Sequence, residues 1–447
     1  MKETTSSSGG LLRAACILAL TGMAGTAQSA NWLMLQGTEP TGAADRANLW
    51  GFIQMNYQED LSDPNAAGQY VPPKLLGPDL DSQSGFNINR ARIGVRGANF
   101  PLDDKTNYFI MAELGNNGIT AGQSAFAKLV DASITLNHIP GARVRAGLFK
   151  YPGAEEGLQA IHVFDYINFT EVTNGLLLER FPNRAYTANL PAQTKAQLQG
   201  GGKLNGFTEP TGAFRDVGVQ VFDAFDVGQD WEVSYAAMIG NGSGVEFSDY
   251  DDEKDTYLYF SAEKKYGGKG PKAEGLKFFG WGQLGSRLLD NTNDATANLV
   301  KYDRNRAGLG VKYMKKPYRF TAEYITADGM IFVGPDKPSF TFATTNGADA
   351  KAKGWYVEGG WYIPKTKWEL DLRYDTMTRL EGRADEHQFD KWTLGVQYHF
   401  NPKTRVTLNY EMRDFECTGS SGAPCTNVNG NLKGVGDKVG VQLTAIF

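Results

Sequence analysis

The sequence of 447 residues has no long apolar run after its N-terminal segment. A transmembrane helix needs about 20 consecutive and mostly apolar residues, so the rest of the chain is not expected to contain one. Histidine and cysteine are scarce, with four and three residues, and the formal net charge is only −5. A charge this small and this evenly spread gives no indication of nucleic-acid binding.

The common motifs of catalytic, haem and metal sites are also missing. The strings HExxH, GxSxG and CxxCH do not occur, and the four histidines lie far apart along the chain. Residues 280–285, GWGQLG, match a dinucleotide fingerprint, but their flanks have the pattern of a strand, whereas the fingerprint requires a following helix. We therefore expect no enzyme activity, no metal site and no cofactor.

Aromatic residues and glycine are plentiful instead. Aromatics make up 12% of the chain, there are 53 glycines, and the mean hydropathy is −0.38. A disordered chain would lack the aromatics. A composition that is polar on average, aromatic and rich in glycine is typical of a membrane β-barrel with a wet lumen.

The first 30 residues have the features of a secretory signal peptide. Lys2 and Arg13 supply positive charge, and a short apolar core follows up to Leu20. Ala27 and Ala30 are both small enough for the cleavage position. We therefore expect export of the chain and removal of this segment.

Residues 438–447 alternate between apolar and polar side chains, with Val441 and Leu443 on one face and Gln442 and Thr444 on the other. This period of two is typical of a β-strand, and about ten residues are enough for a tilted strand to cross a bilayer. The final Phe447 resembles the assembly signal of bacterial outer-membrane barrels. Comparable segments are residues 49–57, 90–96, 108–114, 128–136, 143–149, 217–222, 231–239, 257–265, 276–286, 307–314, 318–326, 355–363, 368–375, 392–400 and 405–413.

These segments predict an all-β fold, a transmembrane antiparallel β-barrel of about sixteen strands. Such strands must close on themselves, because no backbone group can stay unpaired in lipid. The predicted organisation is a signal peptide over residues 1–30, a periplasmic linker over 31–47 and the barrel over 48–447. Cys417 and Cys425 lie in one loop rich in Gly and Ser and are expected to form a disulfide in an oxidising compartment.

Arginines recur on the polar faces of several predicted strands. A guanidinium facing lipid at mid-depth would cost about 2–4 kcal/mol, so these side chains are expected to point into the lumen. Rings of cations in a pore favour anions. The sequence leaves open whether they are free or paired with lumenal acids such as Glu113 and Asp131. The predicted pore-lining residues are Arg90, Arg92, Arg96, Arg143, Arg145, Arg373 and Arg405.

A long interruption of the strand pattern covers residues 151–199. Such a loop with apolar residues of its own is usually functional or packed, so we expect it to fold into the lumen as a constriction, with a cap on the outer surface as the alternative. Its acidic excess, facing the arginines, predicts mixed ion selectivity. The candidate constriction residues are Glu155, Glu156, Asp165, Glu171, Glu179, Arg180 and Arg184.

Three stretches resemble the phosphate-selective porin O and P family of Gram-negative outer membranes. They are residues 90–97 (RARIGVRG), 145–152 (RAGLFKYP) and 178–183 (LERFPN), and they occur in the family's order. The resemblance implies a homotrimer of sixteen-stranded channels, surrounded by outer-membrane lipid, whose third outer loop narrows the pore. Some members of the family pass phosphate or polyphosphate along lumenal arginines.

The predicted function is passive diffusion of small hydrophilic solutes and ions through the outer membrane, with anions such as phosphate as candidates. The alternative is a non-conducting barrel, either a structural or adhesive protein or the sheath of an electron-conduit complex. A sheath would need a haem-bearing partner, because this chain has no haem-attachment motif.

Overall fold

The computed structural model describes most of the chain after the predicted signal peptide. The predicted constriction residues Glu179, Arg180 and Arg184 lie outside the described residues, as does the signal peptide. The described residues are 31–35, 46–63, 84–99, 102–117, 119–120, 127–178, 212–245, 247, 249, 252–268, 270–290, 299–331, 350–420 and 422–447.

Sixteen antiparallel strands form one closed barrel, in which neighbours along the chain are neighbours in the wall. A separate hairpin of two strands, β10 (Ser286–Asp290) and β11 (Leu299–Asp303), lies between β9 and β12. The predicted class and strand number are confirmed. The barrel strands are β1 (Asn48–Asp60), β2 (Ser84–Ala98), β3 (Thr106–Glu113), β4 (Lys128–Leu136), β5 (Arg143–Lys150), β6 (Arg215–Val227), β7 (Trp231–Gly240), β8 (Asp255–Gly267), β9 (Glu274–Leu284), β12 (Asn305–Lys315), β13 (Tyr318–Asp328), β14 (Lys351–Tyr362), β15 (Trp368–Arg379), β16 (His387–Asn401), β17 (Thr404–Cys417) and β18 (Lys438–Ile446).

The last strand closes the wall. β18 pairs with β17 on one side and with β1 on the other, so no edge is left in lipid. The pairing extends to the final residue, because Phe447 N–H donates to the Gly51 carbonyl at 2.9 Å. A side chain at position 51 would collide with the Phe447 ring, which explains the glycine there.

The two faces of each strand differ as the alternation predicts. On β16, Trp392 and Leu394 are 46% and 48% exposed on the outside, whereas Lys391, Thr393 and Gln397 are buried on the inside. The apolar outer face suits lipid, and the polar side chains are directed into the lumen.

Short turns join the strands at one end and longer loops at the other, which are the periplasmic and outer ends in barrels of this kind. The third outer loop, from β5 to β6, contains two short helices, α2 (Glu155–Leu158) and α3 (Glu171–Leu176). A short helix α1 (Trp32–Leu35) precedes the barrel, and α4 (Ala423–Leu432) lies in the last outer loop. None of the helices in the described part of the chain is long and apolar enough to cross a membrane.

The predicted disulfide is present in the structure. Cys417, at the outer end of β17, is bonded to Cys425 in α4, with the two Cα atoms 5.3 Å apart. The bond ties the last outer loop to the rim of the barrel.

We expect Leu394→Arg to destabilise the barrel by about 2–4 kcal/mol, because Leu394 lies midway along an outward face. The control is Glu416→Arg, an outward position at the outer end of β17, where the expected cost is about 0–1 kcal/mol. Urea unfolding in phospholipid vesicles measures both. Equal losses at the two positions would contradict the assignment of this face to lipid.

Candidate functional site: a lumen divided by an inserted loop

The third outer loop folds into the barrel, as predicted. We call residues 151–178, its longest described part, the inserted loop. Most of its side chains are buried, with Thr170 and Val172 at 0% exposure. Thr170 caps α3, since its hydroxyl accepts a hydrogen bond from the Thr173 N–H at 3.2 Å. In its described part, the loop therefore lies inside the lumen and does not form a cap on the surface.

The carboxylates at the start of the inserted loop are paired with the barrel wall. Glu155 accepts hydrogen bonds from Lys277 at 2.5 Å and from Lys312 at 2.8 Å. Burial alone would raise the pKa of Glu155, but the two lysines lower it to about 2. The neighbouring Glu156 lies 3.4 Å from the guanidinium of Arg373. The two carboxyl groups are thus paired with cations of β9, β12 and β15.

The later carboxylates of the loop are paired in the same way. Asp165 contacts Lys272 at 2.6 Å and Arg319 at 3.3 Å. Glu171 accepts from Lys391 on β16 at 2.9 Å. None of the four described candidate carboxylates has an ion pair with the arginines of β2 or β5, although we expected the two sets to face each other. The cations that pair with them belong to β9 and β12–β16, or to the turn before β9.

Wall cations also bind the backbone of the inserted loop. Both terminal nitrogens of Arg373 donate to the Asn168 carbonyl at 3.0 Å, and Arg405 donates to the Phe164 carbonyl. Arg306 donates to the carbonyl of Leu176 at 2.8 Å. We predicted that Arg373 and Arg405 line the pore, but the inserted loop covers both side chains, and they donate to its backbone.

The three predicted arginines of β2 lie on the opposite side of the lumen. Arg90 donates to the side chain of Gln54 at 3.0 Å, and Arg92 pairs with Glu113 at 2.6 Å. Arg96 lies over the Trp50 ring, 5.8 Å from its centroid.

The two predicted arginines of β5 have separate surroundings. Arg143, nearer the periplasmic end, lies 3.2 Å from Asp223. Arg145 is buried between the rings of Phe149 and Phe222, 5.4 and 4.5 Å from their centroids. Arg143 and Arg145 therefore contact side chains of the β4–β6 wall.

A cavity of about 410 Å³ lies between this wall and the inserted loop. Its lining includes Lys150 and Arg215, which we did not predict. Lys150 ends β5 and donates to the Gln159 carbonyl at 2.7 Å, and Arg215 begins β6 and contacts Asp131 at 2.8 Å. The alternation of apolar and polar residues does not identify Arg215 as a lumenal residue, because it is the first strand residue after the loop.

Aromatic side chains form another side of the cavity. The Trp50 ring stacks on Phe109 with centroids 6.0 Å apart, and His162 of the inserted loop lies 5.0 Å from the Phe52 ring. Burial and the positive charges of Arg405 and Arg92 lower the pKa of His162 to about 3, so its imidazole is neutral at physiological pH. The cavity thus combines arginine and lysine side chains with uncharged aromatic rings.

The N-terminal helix α1 also reaches the cavity. We expected residues 31–47 to form a periplasmic linker, but Trp32 is buried and lines the cavity. Lys312 lies over its ring at 5.5 Å, and Asn31 donates to Glu232 on β7 at 2.9 Å. At least the described part of the predicted linker therefore packs against the barrel.

Comparison with known proteins agrees with the resemblance found in the sequence. Residues 272–426 match the family model described as phosphate-selective porin O and P. No curated protein matches the sequence.

Two solved structures show the same fold at low sequence identity. One is a loop L8 deletion mutant of OmpT, an outer membrane protein of Vibrio cholerae, with 12% identity and a TM-score of 0.52, covering 90% of this chain and 99% of that one. The other is the outer membrane channel DcaP of Acinetobacter baumannii, with 12% identity and a TM-score of 0.50, covering 92% and 100%.

We expect Arg373→Met to release the inserted loop, because removing one partner of a buried ion pair costs about 3–5 kcal/mol. The result should be protease cleavage within residues 151–178 that is at least about tenfold faster, in a barrel with unchanged strand content by circular dichroism. The control is Lys353→Met, which breaks an exposed pair with Glu381. Identical digestion of wild type and Arg373→Met would show that Arg373 does not anchor the loop.

Proposed function

We propose that this chain, which matches the phosphate-selective porin O and P family over residues 272–426, is a passive channel of a Gram-negative outer membrane. It is exported through a cleaved signal peptide and admits small hydrophilic solutes and ions, with a preference for anions. The observation that supports this proposal is the cavity lined by cations between the inserted loop and the wall of β1–β6.

The preference for anions follows from the way the charges are divided. The described carboxylates of the inserted loop are compensated by cations of β9, β12–β16 and the turn before β9, and these cations do not line the cavity. The cavity itself is lined by Arg92, Arg96, Lys150 and Arg215, against one carboxylate, Asp131. A low-dielectric passage lined by one sign of charge concentrates ions of the opposite sign.

The proposal predicts anion selectivity in planar bilayers. Purified protein should give discrete conductance steps, with a reversal potential of the sign for anions in a tenfold KCl gradient. Arg96→Gln and Lys150→Gln should each lower the anion-to-cation permeability ratio by roughly twofold, because each removes one cation from the cavity wall.

The matched control is Lys353→Gln on the outward face of β14, which should leave the ratio unchanged. An unchanged ratio in both cavity variants would contradict the assignment of the cavity to the permeation path. If no conductance steps occur at all, the alternative of a structural barrel or sheath is favoured, and copurification of a multihaem cytochrome would indicate the sheath.

We further propose that the chain forms a homotrimer through β3–β5. A strand needs about 9–11 residues to cross a bilayer. Of the three consecutive strands β3, β4 and β5, the first and third have 8 residues, below this range, and β4 has 9, at its lower limit. Their outer faces present Ile110 and Ile134, which are 50% and 42% exposed. A part of the barrel wall with short strands and an apolar outer face is better covered by another protomer than by lipid.

Native mass spectrometry of protein released from mild detergent should therefore give the mass of three chains. The double variant Ile110→Glu/Ile134→Glu should lower the trimer fraction, because it places carboxylates in an apolar contact. The control, Leu372→Glu, changes an exposed apolar residue on the far side of the barrel and should leave the trimer intact. A single-chain mass for the unmodified protein would rule out the homotrimer.

A further inference from the structure

We propose that the outward face of β8, β9 and β12 binds the phosphate of an anionic phospholipid in the periplasmic leaflet of the membrane. The surface lies at the periplasmic end of the barrel and is formed by Lys264, Tyr266, Tyr313 and Lys315, which we call the lysine–tyrosine patch. The inference concerns the outside of the wall, so it does not depend on whether the barrel conducts solutes.

Two lysines of the patch point outwards at a depth where other strands carry aromatic residues. On β8, Leu258 and Phe260 are exposed on the lipid face, and the period of two continues this face to Lys264. On β12, Leu309 is 65% exposed, and the same face ends at Lys315. The exposed outward residues at the periplasmic ends of β13–β16 are Tyr318, Trp361, Trp368 and Phe400. Such aromatics form the girdle of a barrel, so the two lysines are a local departure from it.

The strand pairing brings both lysines into one patch. Lys264 pairs with Leu276 on β9, and Leu276 pairs with Tyr313 on β12. The ammonium of Lys315 lies 5.4 Å from the centroid of the Tyr266 ring. The centroids of the Tyr266 and Tyr313 rings are 6.2 Å apart. Lys315 therefore reaches across β9 to a tyrosine that follows Lys264 by two residues on the same face.

The patch carries more positive than negative charge. Neither of its two lysines forms an ion pair with a carboxylate in the part of the chain that the structure describes. The neighbouring Lys265 is paired with Asp226. Glu274, on the same face of β9, accepts a hydrogen bond from the Lys316 backbone N–H at 3.1 Å. The face thus has two ammonium groups and one carboxylate, which leaves one positive charge for a bound phosphate.

The position of the lysines suits the head-group region. β8 has 13 residues, more than the 9–11 or so that cross a bilayer, and Lys264 lies three residues before its end. Lys315 is the last residue of β12. Lysines near the end of a spanning segment keep their stems in the apolar layer and extend the ammonium group to the interface. Both ammonium groups are therefore expected at the depth of the lipid phosphates.

The donors of the patch fit a phosphate with a net negative charge. Lysine is a common phosphate ligand, and the hydroxyls of Tyr266 and Tyr313 each provide a further donor. An anionic lipid gains from the excess positive charge. A zwitterionic lipid would bring its own ammonium group close to the two lysines and lose much of that gain. The geometry therefore favours phosphatidylglycerol over phosphatidylcholine.

Native mass spectrometry of the protein in detergent, titrated with lipid, tests the patch. The first phosphatidylglycerol should bind at least about fivefold more tightly than phosphatidylcholine, because each lysine near an anionic group contributes a factor of about five. Lys264→Gln/Lys315→Gln should weaken phosphatidylglycerol binding by about 25-fold, since it removes two such factors. Lys264→Arg/Lys315→Arg keeps both charges and should bind this lipid as the wild type does.

The matched control is Lys351→Gln/Lys353→Gln, which also removes two outward lysines, at the outer end of β14. These two are already paired with Asp328 and Glu381, so phosphatidylglycerol binding should not change. Equal affinities for the two lipids, or unchanged binding in the glutamine variant of the patch, would overturn the proposal. So would displacement of the lipid by an equal concentration of glycerol 3-phosphate, since the patch would then bind a soluble phosphate.

Conductance measurements separate this inference from the proposed function. The glutamine variant of the patch should leave the conductance and the reversal potential in planar bilayers unchanged, because both side chains lie outside the lumen. A protein that conducts but binds the two lipids equally would still be a channel, and the lipid site would be refuted. A protein that prefers phosphatidylglycerol through the patch but gives no conductance steps would retain the site and lose the channel function.

Discussion

A loop with little regular structure can lie inside this barrel only if the wall satisfies its polar groups. The inserted loop has two short α-helices and one turn of 3-10 helix at Ile161–Val163. Many of its carbonyls and carboxylates therefore need partners from elsewhere. Arg373, Arg405, Arg306 and Lys391 provide donors to its backbone, and six wall or turn cations compensate its carboxylates. Without those donors, the buried groups would each cost about 1–3 kcal/mol. The position of the loop is therefore determined by the inward charges of β12–β17.

This constraint also determines where the open space is. The loop is held against β12–β17, so the remaining cavity lies beside β1–β6, where Trp50, Phe52 and the arginines of β2 are found. Helix α1 limits the same cavity with Trp32. The cations that pair with the loop carboxylates do not line the cavity, whereas Lys150 both lines it and donates to the loop backbone at Gln159.

The sequence predicts the barrel well and the lumen much less well. All sixteen strands and the outward position of residues such as Leu394 follow from a period of two, because lipid outside and polar groups inside impose that alternation on every strand. The disulfide follows from two cysteines in one exported loop. The partners of Glu155 and Asp165 do not follow from the pattern, since they lie more than 100 residues away along the chain. The sequence does not predict helix α1, because four helical residues give no periodic signal.

Arg96 and Arg373 show the physical reason why the sequence does not predict the contacts of charges in the lumen. Both side chains point into the lumen from the polar face of a strand, and the alternation of apolar and polar residues does not distinguish them. Arg373 is covered and donates to the backbone of the inserted loop, whereas Arg96 lies over Trp50 at the edge of the cavity. The difference arises from the path of the loop, whose carboxylates pair with cations of β9 and β12–β16 or of the turn before β9 and not with the arginines of β2. The strand pattern thus decides which charges enter the lumen, and the packing of the loop decides which of them a solute can reach.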